Sequence, residues 1–78
     1  MSKMDNLYYT VNIAAGRELC LSPLTDRLIE LSGQDVEDQS GYFLYERNVR
    51  GGVTDIEIIA RILSPEGASR LREAFKMS

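Results

Sequence analysis

The sequence predicts an α+β fold of ββαββα order, a two-layer sandwich with two helices on one face of a mostly antiparallel sheet. Three observations predict it. Residues 7–14 and 54–63 alternate apolar and polar side chains with the period of a strand. Leu24, Leu28 and Leu31, and later Ala68, Leu71 and Phe75, recur at helical spacing. A phrase also occurs twice: Leu21-Ser22-Pro23 precedes Arg27-Leu28-Ile29-Glu30, and Leu63-Ser64-Pro65 precedes Arg70-Leu71-Arg72-Glu73.

The first strand, residues 7–14, sends Leu7, Tyr9, Val11 and Ile13 one way and Tyr8, Thr10 and Asn12 the other. Ala15-Gly16 supplies a turn, since glycine tolerates positive φ. A short second strand returns over residues 17–21 with Leu19 and Leu21 inward. Without it the order would be βαββα. Ser22 then reads as a helix N-cap with Pro23 in the first turn, and Gly33 as the left-handed residue past the end, giving a first helix over 23–32.

A polar loop, 34–40, leads through Gly41 to an aromatic-rich strand over 42–49. Arg50-Gly51-Gly52-Val53 turns the chain into the strand 54–63, with Ile56, Ile58, Ala60 and Ile62 expected inward. Ser64-Pro65-Glu66 starts the second helix; Gly67 weakens it by up to ~1 kcal/mol unless close approach to the sheet requires it. The expected organisation is a flexible N-terminus (1–6) and one domain (7–78). The repeat also allows two ββα half-units, 7–33 and 42–77, but helix-start chemistry used twice explains it as well.

Seventy-eight residues bury a small core, with a net stability of roughly 4–12 kcal/mol. One cysteine and no histidine exclude an intrachain disulfide and a His-ligated metal. The net charge of −3 argues against nonspecific nucleic-acid binding. Residues 1–39 hold seven acids and three bases, residues 40–78 five acids and six bases. No apolar run reaches the ~20 residues that span a bilayer. A cytoplasmic protein is the expectation, and Cys20 agrees with a reducing compartment.

No catalytic, cofactor or metal residues are assigned. Cys20 has no histidine to activate it and reads as a small apolar strand residue. Asp35-Val36-Glu37-Asp38 lacks the glycine turn and terminal bidentate acid of a calcium loop. Arg50-Gly51-Gly52 runs from strand to strand, whereas a phosphate cradle runs from strand to helix. Gly41-Tyr42-Phe43-Leu44-Tyr45 has aromatics like an RNA-stacking strand but no preceding base.

With both helices on one face, the other face would carry Tyr8, Cys20, Tyr42, Leu44, Ile59 and Arg61. Tyr8, Tyr42, Leu44, Ile59 and Arg61 are therefore the interface candidates, and an inverted 42–49 register would put Phe43, Tyr45 and Arg47 there instead. The leading expectation is a protein-binding or regulatory module, forming a homodimer through this face or an edge strand. The alternative is a small-molecule-binding or catalytic subunit with a pocket at a subunit boundary, lined by Tyr8, Tyr42, Arg47 and Arg61. Single-stranded nucleic-acid binding ranks third.

Overall fold

A computed structural model describes residues 8–78. The expectations for Leu7 and for a flexible 1–6 segment fall outside the described residues. The elements run β1 (Tyr9–Ala14), β2 (Arg17–Ser22), α1 (Asp26–Ser32), β3 (Tyr42–Arg50), β4 (Val53–Ile62) and α2 (Pro65–Ala74). The strands form one antiparallel sheet in the order β1-β2-β3-β4. The α+β class and the ββαββα order are those the sequence predicts.

The β1–β2 turn depends on Gly16. Its φ is +72°, and a Cβ there would lie 2.7 Å from the Val49 carbonyl oxygen. That closeness has a purpose: the Val49 N–H donates to the Gly16 carbonyl at 2.8 Å, tying the turn to the end of β3.

The two Ser-Pro sites behave differently. Ser64 caps α2 as expected, its Oγ accepting from the Gly67 N–H at 3.0 Å, with Pro65 in the first turn. Ser22 does not cap a helix. It is the buried last residue of β2, and its Oγ donates to the Pro23 carbonyl at 2.9 Å. That bond uses its one proton, so Tyr45 Oη, 2.8 Å away, donates to Ser22. The predicted start of the first helix at residue 23 is corrected to Asp26, with Thr25 as cap accepting from the Leu28 N–H at 3.2 Å. A buried phenol requires a hydrogen-bond partner, and satisfying it keeps Ser22 in the strand.

The placement of the helices is the second correction. Leu19 and Leu21 of β2 pack with Ala68 and Met77, and with Tyr9, Val11, Tyr42, Leu44, Ile62 and Leu71 around them. Cys20, between those two leucines, packs instead with Phe43, Tyr45 and Ile56, flanked by Leu24, Leu28, Leu31, Val36 and Ile58. Adjacent strand residues point to opposite faces. So α2 covers one face and α1 the other, where the sequence places both on one. Tyr42 and Leu44 therefore lie under α2, and Cys20 is fully buried under the α1 side.

A β-bulge explains why the alternation of β4 misleads. Leu44 pairs with Ala60 and Tyr45 with Ile58, which leaves Ile59 without a partner in the register. The extra residue reverses the parity of the strand. Ile56 and Ile58 consequently face α1, while Ile62 faces α2, although all three were expected on one side.

Both sheet edges are engaged. The Gln34 side chain pairs with the outer edge of β4: Oε1 accepts from the Ile58 N–H at 2.7 Å, and Nε2 donates to its carbonyl at 3.3 Å. At β1, Ser78 exchanges backbone bonds with Thr10 at 3.0 and 3.1 Å. Such contacts blunt edges that would otherwise pair with another chain.

Candidate binding surface

The five residues expected on one surface are distributed over the molecule. Tyr42 and Leu44 are half-buried against the α2 core. Tyr8 lies on the α1 side, half exposed, with its Oη 4.0 Å from Cys20 Sγ. Its pKa is pushed up to about 12, chiefly by burial of the phenol and then by the neighbouring Cys20. Ile59 stands at the bulge, 52% exposed.

Arg61 holds a loop in place. Its guanidinium meets Asp38 Oδ2 at 3.2 Å, and it donates to the Ser40 carbonyl and Ser40 Oγ, both at 3.2 Å. Asp38 in turn accepts from the Ser40 N–H at 3.0 Å and from Ser40 Oγ at 2.6 Å. Those Ser40 bonds, and then Arg61, hold the Asp38 carboxyl below its ordinary pKa. Val36 sits among the α1-side core residues. The acidic run 35–38 is thus a strap folded against β4.

Cys20 has no exposed surface. Burial, and then the Glu18 carboxylate with Oε1 3.8 Å away, push its thiol up to about 11. A thiol held protonated is a poor nucleophile. Elsewhere on the sheet Arg17 makes a two-nitrogen pair with Glu46 at 2.6 and 3.2 Å, and the Arg72 guanidinium lies 4.5 Å above the Tyr9 ring. Both arginines fasten elements together. The lining proposed for a subunit-boundary pocket is not assembled within one chain, because Tyr42 lies on the face opposite Tyr8, Arg47 and Arg61.

Sequence reasoning passes over a groove of about 590 Å³ between α1 and the β3–β4 hairpin. Leu28 and Leu31 of α1, with Ile56 and Val53 of β4, supply its apolar surface; Arg27 and Arg47 also line it. A length mismatch opens it. Seven helical residues span about 10 Å, whereas ten strand residues run about 33 Å. No residue of α1 is fully buried, and Val53 is 61% exposed. The short spacing between Thr25 and Gly33 is the sequence signal that could have revealed it.

No protein-family model, curated protein or solved structure matches the chain. Among the described residues, no helix is long and apolar enough to cross a membrane.

Proposed function

We propose that the chain is a small protein-binding module that acts through apolar surface its own helices leave uncovered. The observation that carries this reading is the incompletely covered α1 face. The stripe of α1 is only half-buried, and large apolar side chains remain exposed elsewhere, including Ile59 and Leu63 at 52% and 84%. Exposed apolar surface bordered by polar groups supports association. A short chain with two thin cores also gains stability from a partner that covers such surface.

Self-association is the first form to test, by sedimentation velocity across the micromolar range. A concentration-dependent dimer that Ile59→Glu converts to monomer is the expected result. Leu44→Glu is unsuitable as an interface probe, because Leu44 packs in the α2-side core and its loss reads as unfolding. A monomer at every concentration, identical in the Ile59→Glu variant, counts against the homodimer and leaves only a different protein as partner.

A further inference from the structure

We infer that the groove between α1 and the β3–β4 hairpin receives an acidic, leucine-rich peptide segment of another protein. This rests on the protein-binding reading and names its site and the chemistry of its ligand. The floor and walls are apolar, from Leu28, Leu31, Val53 and Ile56, and among the described residues no aspartate or glutamate lines them. Among the described residues that line it, Arg27 and Arg47 are the charged ones. In a chain with twelve acids and nine bases, that is a local reversal of charge.

Both guanidiniums are available to a ligand. Arg27 is exposed and makes no ion pair among the described residues. Among the described residues Arg47 pairs with Glu18 at 3.9 Å, the long end of ion pairing, and its side chain is 45% exposed. The structural arginines differ: Arg17 and Arg61 bind their partners at 2.6 and 3.2 Å. An arginine presents a planar fork that grips a carboxylate with two parallel bonds.

The occupant must therefore offer carboxylates to the two arginines and apolar side chains to the floor. A short amphipathic segment does both, in the manner of a helix lying in a groove. This chain's own acidic run is not that segment, because Val36 is packed in the core and Asp38 is bound to Arg61.

The test is fluorescence polarisation with a labelled peptide of roughly 12 residues, Leu and Glu placed at i, i+3 and i+4 spacing. A control peptide carries Gln for every Glu. The acidic peptide is expected to bind in the micromolar range, and the control at least about tenfold more weakly. Arg27→Gln and Arg47→Gln should each weaken binding about tenfold. Val53→Glu should abolish it. All three residues are exposed, and circular dichroism of each variant establishes that it folds.

Equal affinity for the two peptides, or affinity unchanged in both arginine variants, overturns the proposal. So does absence of acidic-peptide binding to the folded wild type, or competition by decanoate, which would make the groove a site for a small amphiphile. A dimer that depends on Ile59 with an inert groove removes this inference and leaves the protein-binding reading intact.

Discussion

Cys20 shows how a residue's neighbours decide its chemistry. In the sequence it stands between two leucines; in the fold it has no exposed surface and touches Glu18 and the Tyr8 hydroxyl. Burial first, and the Glu18 carboxylate second, disfavour the thiolate and move the pKa from 9.0 to about 11. The consequence for stability has a definite sign. Above about pH 9 the unfolded chain sheds this proton while the folded chain keeps it. The contribution is complete below the unfolded value and is lost as pH rises through about 11. Burial raises the Tyr8 and Tyr45 hydroxyls as well, and these act in the same direction at higher pH. Urea unfolding from pH 8 to 11 should show falling stability, with a shallower fall in Cys20→Ala. An identical slope in the two proteins would show that the thiol is not the responsible group. Thiol reagents should label folded Cys20 far more slowly than the unfolded chain.

At the scale of elements, caps and turns distribute stability in ways that substitution can read. Thr25→Ala should cost about 1 kcal/mol, the usual loss on removing an N-cap hydroxyl. Ser64→Ala should cost a similar amount at α2. Gly16→Ala should cost more, about 2–3 kcal/mol, because it combines a left-handed φ with a Cβ 2.7 Å from the Val49 carbonyl oxygen. Chemical denaturation measures all three; a Gly16→Ala loss below that of Thr25→Ala would contradict the close approach.

These elements also show what could be read beforehand. Ala15-Gly16, Gly33 and Ser64-Pro65 carry local chemistry, and local chemistry placed both turns and helix ends near their observed positions. At Gly67, which by propensity alone weakens α2, an added Cβ would lie 3.2 Å from Ile62 Cγ2, so close approach to the sheet favours the glycine. What misled were non-local terms. The Ser22 hydroxyl is claimed by Tyr45, twenty-three residues away. The bulge at Ile59 reverses parity through a pairing that β4 alone does not reveal. Because the face assignments of Tyr42 and Leu44 depended on the position of the helices, the candidate surface moved with them.

For the whole molecule, the sheet is a shared wall between two thin cores. Leu19 and Leu21 belong to the α2 side, and Cys20 between them belongs to the α1 side. Neither core can be lost without freeing β2, so the two faces should melt together. Met77 tests this. After α2 the chain reverses at Lys76, where φ is 55°, and buries Met77 to 4% exposure against Leu19, Leu21 and Ala68. Ser78 then closes on Thr10 at the β1 edge. Met77→Ala should remove about 2–4 kcal/mol, a large fraction of a stability of roughly 4–12 kcal/mol. Although Met77 lies on the α2 side, the loss should be felt equally by Tyr45 on the α1 side. Far-ultraviolet circular dichroism and the near-ultraviolet tyrosine signal should therefore shift to one common lower midpoint. Separate transitions, with part of the tyrosine signal outlasting helix loss, would mean that the two cores stand independently and that β2 does not couple them.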